Sequence, residues 1–230
     1  MKTRKIISLI LALVLCLSLL PVTAAAEEYT KGGVRYELDK NNNYATVVGY
    51  TTTDGIPDIP EELTIPTTVQ GCTVWSIESA FYNCKSLKTV AIPKSVDVIA
   101  AMSFIGCSNL TAINVDADNI IYSSDGGVLF NKDKTELILC PEGKEGSYVI
   151  PAGVKNIGDS AFYGCSQLTS VTIPDSVTAI SDNAFYGCSQ LTSVTIPEGV
   201  ETIGSYAFYD CRPYVRHHPR ERKEHRRRCV

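Results

Sequence analysis

Cysteine recurs in this chain at a fixed address. Cys84, Cys107, Cys165, Cys188 and Cys211 each close the same five-residue phrase: AFYNC (80–84), SFIGC (103–107), AFYGC (161–165), AFYGC (184–188) and AFYDC (207–211). Thiols in a regular row could bridge one another, hold a soft metal or act as nucleophiles. Zinc sites and activated nucleophiles usually enlist histidine. The three histidines, His217, His218 and His225, all lie beyond the last phrase. No cysteine pair has zinc-finger spacing. Equivalent rungs of a repeat come near the Cα separation of a disulfide, but their side chains point in parallel, which suits bridging poorly. The expectation is a row of free, buried thiols packed as small apolar groups. Cys72 and Cys140 are off this register, with no role assigned.

Other reactive groupings are equally sparse. Gly126-Gly127 has no Walker context and reads as a turn. Asp116-Ala117-Asp118-Asn119 lacks the spacing and closing Glu of an EF-hand and reads as a polar loop. Nothing in the repeats places two carboxylates across a cleft, as glycoside hydrolysis requires. The glycosylation sequon Asn109-Leu110-Thr111 has a core position at its centre. These residues predict a non-enzymatic chain without catalytic, metal or cofactor-binding residues, and with no cofactor.

The elements behind the cysteines repeat with them. Phe81, Phe104, Phe162, Phe185 and Phe208 are spaced 23, 58, 23 and 23 residues apart. A fixed period in the twenties marks a solenoid. After each of the first four phrases comes LKTVAIP, LTAINVD, LTSVTIP or LTSVTIP. In such a segment alternation turns Val194 and Ile196 inward and Ser193 and Thr195 outward. Pro197 ends the ladder. The pairs Val74/Ile77, Val96/Ile99, Val154/Ile157, Val177/Ile180 and Val200/Ile203 return to the core on a second side. Gly204-Ser205 then leads into a single helical turn that drives Ala207 and Phe208 inward. The expected fold is a leucine-rich repeat solenoid, β-rich with short helical turns and an N-terminal β-hairpin cap.

The domain reading follows. Residues 1–26 form a secretory signal, with Lys2, Arg4 and Lys5 before an apolar run and Ala24-Ala25-Ala26 as the cleavage site. Residues 27–64 form the β cap, whose segment VRYELDKNNNYATVVGY (34–50) alternates around an Asn-rich turn. Residues 65–211 form the solenoid, with an insert near 116–149 in which VLFNKDKTELIL (128–139) reads as two strands. The first unit is also longer, by four residues at QGCT (70–73). No later segment is long and apolar enough to span a bilayer.

Units of this form resemble the BspA-like leucine-rich repeats of bacterial surface proteins. IPAGVKNIGDSAFYGCSQLTSVTIP (150–174) and IPDSVTAISDNAFYGCSQLTSVTIP (173–197) carry the likeness, which covers about 34–211. SFIGC departs from it at Ser103 and Ile105. The resemblance implies a secreted or cell-surface bacterial protein that binds proteins or adheres, with no catalytic residues to carry over. A rival expectation is a set of targeting repeats for a secreted enzyme whose catalytic domain is lost downstream.

Charge narrows the partners. Residues 27–211 carry ten Lys/Arg and twenty-three Asp/Glu. Such an acidic body disfavours nucleic acid and anionic membrane. The expected partner is a protein or a surface glycan. Residues 212–230, RPYVRHHPRERKEHRRRCV, are strongly basic instead. They read as a solvated tail, as a polybasic arm, or as the repeat in the wrong reading frame. Codons can be chosen for the tail so that reading one nucleotide later gives GLTSVTIPESVKSIGGVA, a continuation of the repeat. The frameshift reading is favoured, and it predicts a disordered tail without a selected function.

Two surfaces are candidates for binding. The strand face presents Thr89, Asn114, Ser170, Thr172, Ser193 and Thr195, small and polar, suited to weak or multivalent contact. The second is a tyrosine stripe that includes Tyr163 and Tyr186. Tyrosine suits interfaces, but packing against the flank of the Phe row is the favoured reading.

Overall fold

A computed structural model describes residues 26–100, 102–211 and 214–216. The expected signal segment lies outside them apart from Ala26. The chain winds as a succession of short strands that form two strand faces. On the first face Glu62–Thr64, Thr89–Ile92 and Ala112–Val115 run parallel. Further along, Gly146–Val149, Leu168–Thr172, Ser193–Thr195 and Tyr214–Arg216 do the same. On the second face Val98–Ile99 pairs with Cys72–Ile77, and Glu136–Leu139, Asn156–Ile157, Ala179–Ile180 and Thr202–Ile203 form a parallel stack.

The repeat sets the register. Val171 lies opposite Val194, and Thr172 opposite Thr195. The valines are buried and the threonines exposed, because side chains alternate along a strand. Leu87, Leu110, Leu168 and Leu191 are fully buried, as are Phe81, Phe162 and Phe185. Burying each such side chain stabilises the fold by roughly 2–3 kcal/mol.

No helix occurs among the described residues, which corrects the expected helical turn. The AFYGC segments are runs of tight turns. Their N–H groups alternate between two uses: Phe162 donates to the Ala184 carbonyl of the next coil at 2.7 Å and Gly164 to that of Tyr186 at 2.8 Å, while Tyr163 and Cys165 bond back to Ser160 and Phe162 at 3.0 and 3.2 Å. Positive φ at Ser160 and at Gly164 also breaks any right-handed run.

The N-terminal strands Glu27–Lys31, Val34–Asp39 and Tyr44–Tyr50 form an antiparallel meander. Its last strand pairs parallel with Cys72–Ile77 and so covers the first coil. Asp39 closes the Asn-rich turn by accepting from the N–H groups of Asn41 and Asn42, both at 3.1 Å. Glu62–Thr64 already pairs with Thr89–Ala91, so the solenoid sheet begins ahead of the boundary expected at 64/65. The four extra residues of the first unit make a hairpin between Thr68–Val69 and Cys72–Ile77. Its two turn residues, Gln70 and Gly71, have φ of 49° and 81°, as a primed two-residue turn requires. This places Cys72 in the core.

The insert holds three antiparallel strands, Tyr122–Asp125, Val128–Asn131 and Glu136–Leu139. The third replaces a rung of the second face. Neither face is continuous here. The edge of Ala112–Val115 meets the Gly126-Gly127 turn, where Ile113 donates to the Gly127 carbonyl at 2.9 Å. Buried residues accordingly fall into two clusters, one ending at Leu129 and the other beginning with Val128 and Phe130. The solenoid is two blocks joined at a seam.

At the far end, Tyr214–Arg216 pairs with Ser193–Thr195. This corrects the expectation that the whole tail leaves the fold. The register moves by 21 residues (Ser193 to Tyr214) instead of the 23 between Ser170 and Ser193. The backbone of this segment still pairs with the open edge, because strand pairing needs no particular side chain. Residues 212–213 and 217–230 lie outside the described residues.

Candidate binding surfaces

The strand-face candidates divide between the blocks. Thr89 and Asn114 belong to neighbouring strands of the first block, Thr89 opposite Ala112 and Asn114 opposite Ala91. They are therefore diagonal neighbours. Ser170 lies opposite Ser193, and Thr172 opposite Thr195, in the second block. Asn114, Thr172 and Thr195 are exposed, whereas Thr89 and Ser170 are half-buried. Val149, opposite Thr172 on the adjoining strand, is 66% exposed and adds an apolar contact that alternation alone did not single out.

The tyrosines form a column. Tyr163 stacks on Tyr186 with centroids 4.9 Å apart, and Tyr186 on Tyr209 at 5.1 Å. Tyr206 meets Tyr209 edge-on at 5.8 Å. Tyr163 and Tyr186 are half-buried, so neighbouring rings occupy their faces. Beside them runs the Phe row, with Phe162–Phe185 at 4.7 Å and Phe185–Phe208 at 5.1 Å. Tyr82 lies apart in the first block, where its carbonyl accepts from the Tyr50 hydroxyl.

The row of cysteines is buried and unbridged among the described residues, with Cys211 half-buried at its end. The thiols also do work that spacing did not reveal. Cys107 donates to the carbonyl of Phe81 at 3.0 Å, Cys188 to that of Phe162 at 3.1 Å and Cys211 to that of Phe185 at 2.7 Å. Each thus satisfies a buried backbone acceptor of the preceding coil. Burial, then the nearby Cys84 thiol, pushes Cys107 up to about 12. Burial likewise holds Cys165 well above the ordinary thiol range.

Cys140 is less irregular than its spacing suggested. Its N–H donates to the Ala161 carbonyl, as that of Phe162 does to Ala184 and that of Phe185 to Ala207. Cys140 therefore stands where a coil would otherwise place phenylalanine. Tyr148 covers the exposed side of Phe162 instead, with centroids 6.0 Å apart.

A cleft of about 190 Å³ opens at the seam, where Phe104 of the first block meets the insert. Buried Phe104 and Leu129, half-buried Ile99, Ile138, Leu139 and Glu136, and exposed Asp159 line it. Two carboxylates at a cleft were not anticipated from the repeats, because Glu136 lies in the insert. Asn156 donates from Nδ2 to Glu136 Oε1 at 3.0 Å, and the Asp182 N–H donates to Asp159 Oδ1 at 3.2 Å.

No group of three His, Cys, Asp or Glu is placed to hold a metal ion among the described residues. The Asp116–Asn119 loop is exposed except at Asn119, which turns inward. Asn119 is buried and donates from Nδ2 to the Pro93 and Val96 carbonyls, while its Oδ1 accepts from Ile121 and Tyr122. Among the described residues no helix is long and apolar enough to cross a membrane.

Coils of this length, with Phe, Cys and Leu inward, match a family model of the BspA type leucine rich repeat region in six copies, over residues 61–142 and 144–217. The chain belongs to the BspA-type leucine-rich repeat family. A leucine-rich repeat protein from Eubacterium ventriosum shares this BspA-type fold, with TM-score 0.56 and 23% identity over 84% of this chain and 73% of that one. A leucine rich cell surface protein from Faecalibacterium prausnitzii is 27% identical, with TM-score 0.49, over 83% of this chain and 54% of the other. The BspA-type chain thus spans about half the length of the latter. No curated protein matches it.

Proposed function

We propose that this BspA-type chain is a non-enzymatic protein-interaction or adhesion module, secreted or held at a bacterial cell surface. The observation that carries this reading is the stacked tyrosine column of the second block. Tyr163, Tyr186 and Tyr209 are locked by mutual stacking, so little side-chain entropy is lost when their polar edges meet a partner. Thr172 and Thr195 offer hydroxyls on the strand face of the same coils. An unknown protein or a surface glycan fits both surfaces. Family membership and the apolar N-terminal segment behind Lys2, Arg4 and Lys5 support export.

The test has two arms. Fractionation of the producing cells should find the chain in the medium or on the surface. The purified chain should bind immobilised extracellular proteins or glycans, and Tyr186→Ala should weaken binding with its circular dichroism unchanged. Retention in the cytoplasm, or binding indifferent to both Tyr186→Ala and Thr195→Lys, would overturn the proposal.

A further inference from the structure

The cleft at the seam combines an apolar floor with two carboxylates. We propose that it receives one lysine or arginine side chain of a partner protein. The methylene stem lies against Ile99, Ile138 and Leu139, and the cationic head sits between Glu136 and Asp159. This rests on the reading of the chain as an interaction module.

Three observations converge. First, the seam leaves an apolar wall open: the ring of Phe104, which lines the cleft, stacks at 5.5 Å on Phe81 and, among the described residues, on no ring of the second block. Secondly, both carboxylates are pre-positioned. Asn156 holds Glu136, and Ser181 donates in turn to Asn156 Oδ1 at 3.3 Å, while Asp182 holds Asp159. Each is fixed through one oxygen, and among the described residues neither is in an ion pair. Thirdly, the surroundings favour a cation. Residues 156–211 contain six Asp/Glu and no Lys or Arg.

A long basic side chain is the class that meets all three. Its stem covers apolar surface while its head reaches the rim. An apolar side chain of equal length would desolvate the carboxylates without compensation, and an acidic one would be repelled.

The probes are the blocked tripeptides acetyl-Gly-Lys-Gly-amide and acetyl-Gly-Arg-Gly-amide, with the norleucine analogue as control. Amide resonances of the isotope-labelled full chain are followed. The basic peptides should shift Ala100, Leu139 and Gly158 with roughly millimolar affinity. E136Q or D159N should weaken this about tenfold. Glutamine and asparagine keep an oxygen for Asn156 and for the Asp182 N–H, so the fold is retained and the rest of the spectrum reports it. Equal binding of the norleucine peptide, shifts that survive the double variant, or no shift at these three amides would overturn the inference. A macromolecular ligand that needs Tyr186 but ignores E136Q and D159N would also overturn it, while leaving the interaction-module reading intact.

Discussion

The thiol of Cys188 donates to the carbonyl of Phe162, one coil back, at 3.1 Å. The two residues belong to successive copies of the same phrase, so the bond recurs wherever the copies stack without interruption. It explains why this interior position holds a small side chain with a weak donor. Cys188→Ala should therefore cost about 1–3 kcal/mol, because the Phe162 carbonyl loses its side-chain partner in the core. A urea melt against the parent chain measures it, and a change within about 0.3 kcal/mol would show that the bond contributes nothing.

Buried thiols make stability depend on alkaline pH. The folded state raises Cys107 from 9.0 to about 12, so its proton is retained where the unfolded chain releases one. This contribution is fully present below pH 9 and is lost as pH rises from 9 toward 12. At about pH 10 the loss should be roughly 1.4 kcal/mol for this thiol. Melts of the parent and of Cys107→Ala at about pH 8 and pH 10 isolate it, since the parent should fall further.

Glu142 gives a test of the same sign at lower pH. Burial raises its carboxyl, although the Gly106 N–H, 2.6 Å from Oε1, favours the charged form. A raised carboxyl contributes most at low pH and loses that contribution as pH rises through its folded value. Glu142→Gln should equal or exceed the parent in stability at about pH 7, because the amide oxygen still accepts from Gly106 without a buried charge. Glu142→Ala should cost about 1–3 kcal/mol by orphaning that N–H. Denaturant melts of the pair decide it, and equal losses would remove the hydrogen bond from the account.

Phe185→Ala should cost about 3–5 kcal/mol, since the ring is fully buried between Phe162 and Phe208. Thr195→Ala, on an exposed position of the strand face, should stay within about 0.5 kcal/mol. Comparable losses for both would contradict the assignment of inward and outward faces.

Gly127 fixes the seam. Its φ is +80°, and a Cβ there would lie 2.7 Å from the Cβ of Ala112 and 2.8 Å from its Cα. Gly127→Ala should destabilise by about 2 kcal/mol or more. It should also speed amide exchange at Ile113, which donates to the Gly127 carbonyl. Unchanged exchange at Ile113 would show that the turn does not hold the strand edge.

The inward set was legible because it recurs: Phe, Cys, Leu and the Val/Ile pairs return at one period, and a solenoid stacks equivalent positions. The seam was not legible. Nothing in the spacing of Cys140 shows that it takes a phenylalanine's place, since a backbone bond to Ala161 defines that register. The cleft was missed for the same reason, as Glu136 and Asp159 meet only after the insert supplies a rung. No helix follows from AFYGC because every second N–H of the segment finds its partner in the next coil, information that no single copy contains. The short strand at Tyr214–Arg216 was missed because side-chain pattern says little about an edge that backbone alone can pair.

The seam also governs how the molecule would bear load. Within each block, force along the axis is shared by parallel ladders and stacked rings. Between blocks it passes through a handful of individual bonds, including Ile113 to Gly127, Gly143 to Leu110 and Gly106 to Glu142. A chain tethered at one end and pulled by a bound partner would part there first. The insert would stay with the second block, because Glu136–Leu139 pairs there and Val128 and Phe130 lie in that core. The joint would act as a mechanical fuse, giving way before the ladders of either block.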